Sequence, residues 1–243
     1  MPRLRKILPA CFAVVAAFSA SDPSSLAVTP NVRGRITGQD KIVPDVYAEA
    51  ARPDAKRWSW REPSPAVAAQ FRNLSPLVSR EIVLAATNSA QNPAATAPIL
   101  VRVTGGRTNP ATLVVTPDTQ IQFRNDDPFP HKLYVVGQPG WNGAMDPKAV
   151  REWKAPGGQQ RIEFRDEKFP SVRSYVVVDP QVVQTVYPTR ENAFAFALPP
   201  GDFVVKAFFG GKPVGKPIGV TVKDHGTAEI KDPINVSEGA DSK

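Results

Sequence analysis

Nine short apolar segments recur along residues 99–224, spaced by roughly ten residues and separated by turn signals such as TPDT and LPPGD. They are ILVRVT (99–104), ATLVVT (111–116), IQFRN (121–125), KLYVVG (132–137), QRIEFRD (160–166), RSYVVVD (173–179), NAFAFAL (192–198), DFVVKAFFGG (202–211) and IGVTVKD (218–224). Each is too short for a helix of ordinary length and rich in β-branched and aromatic residues. Strands at that spacing close into a sandwich or barrel. Proline narrows the choice further. With 26 prolines in 243 residues, the chain has little room for long helices, because each proline removes an N–H and clashes with the preceding turn. The alternation places Phe123, Tyr134, Val136, Phe164, Val176, Phe196, Val204 and Phe208 inside.

Upstream, residues 32–53 read as strand, turn, strand, with GQDK as the turn. Ser64 and Pro65 open a short helix over 65–73, since serine caps a helix and proline is tolerated at its first position. It is expected to be the longest helix outside the leader. Ser75-Pro76 opens a further single turn, and REIVLAAT (80–87) is a strand. Residues 88–98 form a small-residue linker. The end of the chain, PINVSEGADSK, is polar and expected to be loose. The expected division is therefore a leader at 1–27, N-terminal strands and a short helix at 28–96, a β-sandwich at 97–231 and a loose tail at 232–243.

Residues 1–27 have the layout of an export signal. Arg3, Arg5 and Lys6 precede the apolar run at 7–20, which is shorter than the roughly 20 residues of a membrane span. Small residues offer cleavage between 19 and 27. The expected location is the periplasm or the exterior, with no membrane span after cleavage. Cys11 is the only cysteine and leaves with the leader, so the mature chain has neither disulfide nor thiolate. Cleavage also removes Arg3, Arg5, Lys6 and Asp22, so the net charge falls from +7 to +5. No basic run is interleaved with aromatics, which argues against nucleic acid as a partner.

Chemistry-bearing motifs are sparse. The sequence holds no G-x-S-x-G, no glycine-rich phosphate loop and no H-E-x-x-H, and only His131 and His225 carry imidazoles. With no cysteine in the mature chain, hydrolytic or redox catalysis has few possible actors, and no enzyme is expected. His225 lies in KDHGTAEI and reads as a surface residue. Met145, in the stretch QPGWNGAMDP, is too isolated to count as a ligand.

The stretch FRNDDPFPHKLYVV (123–136) carries a family resemblance. Val115, Ile121, Phe123, Asn125, Asp127 and His131 match the strand and early-histidine block of plastocyanin-like (cupredoxin) proteins, particularly the exported methylamine-utilisation-like group. AFAFALPPGDFVVKAFF (193–209), with Pro199, Pro200 and Gly201, resembles their last hairpin. VRGRITGQDKIVPDVYAEA resembles the opening strands of carboxypeptidase-regulatory-like sandwiches. The resemblance implies an all-β, cupredoxin-like Greek-key sandwich with an N-terminal strand pair and a short helix. It implies copper ligands at His131, Asp166, Phe169 and Val172, the places of the first histidine, the cysteine, the second histidine and the methionine. Three of those four cannot serve, because a type 1 copper site needs a thiolate, two imidazoles and a thioether. Copper is therefore not expected.

Two other readings stay open. His131, Asp126, Asp127, Asp166 and Glu167 could converge on zinc, manganese or Cu(II) as a rebuilt site. Alternatively, Asp126 and Asp127 are turn formers and His131 a residual core-edge histidine, in which case His131→Ala changes stability only modestly. Trp58, Trp60, Trp141 and Trp153 could contact a glycan or an envelope protein, since loop tryptophans supply large contact area, or could cap the ends of the sandwich. The function expected is binding or scaffolding in the cell envelope without copper. Copper handling or electron transfer at His131, and carbohydrate binding, are the alternatives.

Overall fold

The structure, a computed structural model, describes residues 31–42, 77–90 and 97–239. The expected helix at 65–73, the second strand of the N-terminal pair, Trp58 and Trp60 lie outside them. The fold is all-β: the described residues hold seventeen strands, one four-residue helix (Val78–Glu81) and one 3-10 turn (Gln39–Lys41). The helix is the single turn expected after Ser75-Pro76.

The strands are β1 (Val32–Thr37), β2 (Ile82–Thr87), β3 (Ile99–Thr104), β4 (Arg107–Asn109), β5 (Thr112–Val115), β6 (Gln120–Asn125), β7 (His131–Val135), β8 (Gln138–Met145) and β9 (Val150–Lys154). They continue with β10 (Gln160–Asp166), β11 (Arg173–Val178), β12 (Val182–Val186), β13 (Ala193–Phe196), β14 (Gly201–Phe209), β15 (Lys212–Val222), β16 (Ala228–Glu229) and β17 (Ile234–Asn235). Four sheets result, with orders β13-β1-β16 (β17 also pairing β1), β12-β2-β14-β15, β5-β11-β10-β7-β8 and β4-β3-β6-β9.

The sheets stack around two main cores. The β4-β3-β6-β9 and β5-β11-β10-β7-β8 sheets enclose Val101, Phe123, Leu133, Phe164 and Val176. The other two sheets enclose Val32, Ile82, Phe196, Phe203 and Ile234. A third, smaller cluster of Val83, Ala85, Val114, Val177, Val182 and Phe208 joins the two sandwiches back to back. This explains why every residue of IVLAAT in β2 and TLVV in β5 is buried. Those strands face a main core on one side and the joint on the other, so they read as unbroken apolar runs rather than alternating ones. Polar bonds reinforce the joint: the Tyr187 hydroxyl donates to the Thr112 carbonyl (2.7 Å) and the Gly210 N–H to Thr112 Oγ1 (3.2 Å).

Three expectations are corrected here. The strand pairings do not follow a boundary at 96/97. The hairpin at 193–209 lies with β1 and β2 in the second core, because β13 pairs β1 and β14 pairs β2. The end of the chain is not loose through 239: β17 pairs β1, and Ile234 and Val236 are buried in that core. Finally, Val136 (44% exposed) and Val204 (39% exposed) point outward and Tyr134 is only half-buried. Each belongs to or adjoins an apolar doublet, where period-2 alternation leaves the phase undecided. His131, Leu133 and Val135 set the inward phase of β7, and Phe203 and Val205 that of β14.

Candidate functional site

His131 opens β7 with its side chain turned into the sandwich, 1% exposed. The turn before it is built by local hydrogen bonds. Asn125 Oδ1 accepts from the Asp127 N–H (2.9 Å), and Asn125 Nδ2 donates to the carbonyls of Phe129 (2.9 Å) and Met145 (2.8 Å). This is the asparagine-turn chemistry expected of the NDDP stretch. It carries the chain from β6 back into the sheet and fixes where the imidazole enters.

Both ring nitrogens of His131 face a carboxylate. Nε2 is 3.0 Å from Asp127 Oδ2 and Nδ1 is 3.1 Å from Asp166 Oδ2. Each carboxylate is also tied to backbone. Asp127 accepts from the N–H groups of Gly105 (2.6 Å) and Gly106 (3.0 Å). Asp166 accepts from Lys132 (2.8 Å), Lys168 (2.7 Å) and Phe169 (2.8 Å). A neutral imidazole has one N–H and one lone pair, so only the imidazolium donates to both carboxylates. Burial opposes ionisation of Asp127, but the Gly106 and Gly105 N–H groups and His131 outweigh it and hold its carboxyl below the usual carboxylate range. The triad pins together the 105–106 turn, the start of β7 and the 166–169 loop.

Hydrocarbon closes the rest of the pocket. Phe169 meets His131 edge-on with ring centres 5.0 Å apart, and Phe129 lies 5.2 Å from the imidazole and 4.8 Å from Phe169. Val172 is buried at 1% exposure and donates its N–H to the Phe169 carbonyl (2.9 Å). Thus the four positions implied by the resemblance, His131, Asp166, Phe169 and Val172, do meet at one end of the sandwich. Asp166 bonds the imidazole itself, and Phe169 and Val172 bring only hydrocarbon. The rebuilt-site arrangement is not formed. Asp127 and Asp166 sit on opposite nitrogens of one ring instead of converging on a point, and no cluster of three metal-ligating side chains occurs among the described residues.

The remaining candidates lie elsewhere. Asp126 is drawn away to the surface by Arg102 and Arg124, whose guanidiniums hold its carboxyl below the usual range. Glu167 pairs with Lys132 at 2.8 Å. Met145 is fully buried, with its backbone beside that of His131. His225 is exposed in a bend.

Trp141 and Trp153 both pack onto the first core. Trp141 lies on β8, not in a loop. It packs against Phe164 (5.2 Å) and Phe123 (5.7 Å), carries the Arg151 guanidinium over its face (4.1 Å), and donates Nε1–H to the Glu152 carbonyl (3.1 Å). Trp153 is 8% exposed and meets Phe164 edge-on at 5.1 Å. Sequence reasoning found His131 and the positions around it but missed that Asp127 and Asp166 engage the same ring. The available signal was that both aspartates fall on inward-facing positions, where a carboxylate must find a partner.

No family model matches the chain, and no curated protein matches it. Among solved structures, it is similar to two Cu(I) amicyanin variants. One is 19% identical and aligns over 39% of this chain and 98% of the amicyanin, with a TM-score of 0.31. The other is 20% identical over 39% of this chain and 99% of the amicyanin, with a TM-score of 0.32. It is also similar to a Cu-containing nitrite reductase from Thermus scotoductus SA-01, 17% identical over 37% of this chain with a TM-score of 0.31, of which it spans 25%.

Proposed function

We propose that this is an exported, non-enzymatic, cupredoxin-like β-sandwich protein that binds or scaffolds in the cell envelope and carries no copper. The observation behind this reading is the His131 triad. An imidazole can serve a metal only through a free ring nitrogen, and here Asp127 and Asp166 occupy both at 3.0 and 3.1 Å. Releasing one of them would strip a buried carboxylate of its imidazole partner and leave it to its backbone N–H donors alone, which costs free energy. Aromatic and aliphatic side chains fill the rest of the pocket, and the Met145 thioether on the paired position of β8 is not joined by a thiolate or a second imidazole among the described residues. Export rests on the leader-like layout of residues 1–27, and the absence of catalysis on the lack of a cysteine in the mature chain.

The test is elemental analysis of protein purified without chelator, together with Cu(II) titration followed by visible absorption. The expected result is less than stoichiometric metal and no intense band, since a thiolate is needed for the charge transfer of a blue site. One tightly held metal per chain that disappears in His131→Ala would overturn the reading.

A further inference from the structure

On the face of the β5-β11-β10-β7-β8 sheet opposite to the His131 triad lies a cavity of about 660 Å3. Its floor is a single row of the ladder. Arg173 on β11 stands opposite Arg165 on β10, Arg165 opposite Tyr134 on β7, and Tyr134 opposite Asn142 on β8. Alternation turns all four away from the core, whose neighbours Phe164, Leu133 and Val135 point inward. One wall is the 166–170 loop. The other is the β7–β8 connection at Gly137 and Gln138, where the ladder slips between Tyr134 and Val135. A slip of this kind bends the strand edge and re-aims side chains.

Two like charges directly opposite each other in a ladder repel. Arg165 is offset: its Nε–H donates to Glu163 Oε1 (2.7 Å). Glu163 is also shared with Arg161 (3.7 Å), so two guanidiniums divide one carboxylate. Arg173 donates Nε–H to the Pro170 carbonyl (3.1 Å) and has no carboxylate partner among the described residues. Of the two acids that line the cavity, Asp166 is engaged by His131 and three backbone N–H groups, and Glu167 is taken by Lys132. The row therefore holds an uncompensated cation, with unused guanidinium donors on both arginines and an amide and a phenol alongside. Nothing in the packing requires this arrangement, and departures from local consistency of that kind mark binding sites.

We propose that this cavity binds a carboxylate-bearing saccharide of the uronate class. Planar guanidiniums in adjacent register match a carboxylate, which takes paired N–H donors. Asn142, Gln138 and Tyr134 supply the mixed donors and acceptors that sugar hydroxyls need. The volume falls within the range of roughly 300–1,000 Å3 typical of small-ligand sites. This assignment rests on the reading of the protein as a binding protein and gives that role a ligand. Of the triad only Asp166 touches the cavity, from the loop wall, and the proposed contacts Arg165, Arg173, Tyr134, Gln138 and Asn142 lie outside the triad, so the metal measurement and the ligand measurement can fail separately.

The experiment is thermal unfolding of the full chain at fixed ionic strength with glucuronate, glucose or inorganic phosphate, beside Arg173→Gln and a surface control, Lys154→Gln. Glucuronate is expected to raise the melting temperature of the native chain and of the control, with glucose and phosphate having little effect. Arg173→Gln is expected to weaken glucuronate binding by about tenfold or more, as loss of a charge-assisted contact does. Without ligand, the same variant is expected to melt no lower than the native chain, because a repulsion has been removed. An equal glucuronate shift in Arg173→Gln, the absence of any shift in the native chain, or phosphate acting as strongly as glucuronate would overturn the assignment.

Discussion

The core around Phe123 and Phe164 is drawn from one continuous stretch, Val101 to Val178, whereas the core around Phe196 and Phe203 gathers residues from Val32–Ile42, Val78–Ala86 and Phe194–Val236. Both are sandwiches of β-strands with large aromatics at their centres. They differ in how far apart along the chain their walls are made. In the first, each sheet is built from segments within 99–178. In the second, β1 is flanked by β13 on one side and by β16 and β17 on the other. The first core can thus be recognised from a local run of strands, while the second depends on pairings no local pattern announces.

The largest test of this contrast is truncation at the two centres. Phe123→Ala and Phe196→Ala should each cost about 3–5 kcal/mol, the usual loss for a buried phenylalanine. Urea unfolding followed by tryptophan fluorescence would report it. Trp141 and Trp153 both pack on the first core, so Phe196→Ala should shift their signal only through the shared joint at Val114, Val177 and Phe208. Equal shifts of one fluorescence transition for both variants would make the two sandwiches a single cooperative unit.

The triad at the end of the first core gives the next largest effect. His131→Ala leaves Asp127 and Asp166 without the imidazole they share in a buried place, and should destabilise by about 3–5 kcal/mol. The sequence suggests a modest change; burial at 1% exposure and a carboxylate on each ring nitrogen raise the expectation. His131→Gln should recover part of the loss if hydrogen bonding as well as charge matters. A loss under about 1 kcal/mol, as at ordinary surface pairs, would contradict the clamp.

In the second core, Gly34 allows close packing: a Cβ there would meet Phe194 Cζ at 2.5 Å. The Phe194 ring is 4% exposed and cannot swing into solvent, so Gly34→Ala should cost about 1–3 kcal/mol by overpacking. Calorimetry of the variant would measure this. A neutral result would show that the β1–β13 wall yields more readily than the first core.

The smallest effect concerns pH. The Asp127 carboxyl lies below its usual range in the folded chain, so its contribution is fully present above the unfolded value of about 3.9 and fades as pH falls through the folded value. The urea midpoint of the native chain should therefore drop in acid more steeply than that of Asp127→Asn. Parallel pH profiles would remove Asp127 from the acid response.

Much of the first sandwich was legible beforehand because its strands alternate between marked turns. ILVRVT and QRIEFRD are found as strands with the bounds read from the sequence. QPGWNGAM was read as a loop because its glycines and proline mimic a turn, yet it is β8 and carries Trp141 into the core. The second sandwich was harder to see. IVLAAT, buried on both faces, shows a strand but not its neighbours, and INV near the chain end is too short to show any period. At the site, His131 stood out by rarity and by the turn before it. Asp127 and Asp166 stand beside it as candidates, but only the register of β7 and β10 shows that they take opposite nitrogens of the ring instead of sharing a metal.

The placement of β1 bears on the order in which the chain can fold as it emerges. Asn31 bonds Leu198, 167 residues later, and the strand's other edge is closed only by residues 228–235. A chain extruded from its N-terminus therefore presents β1 as a bare edge until residues 193–235 have emerged. Meanwhile the 99–178 stretch already holds what it needs to close. Such an unpaired edge invites pairing with another molecule. A helper that masks the first strand during synthesis or transport would matter more for this protein than for a sandwich whose strands pair in the order they are made.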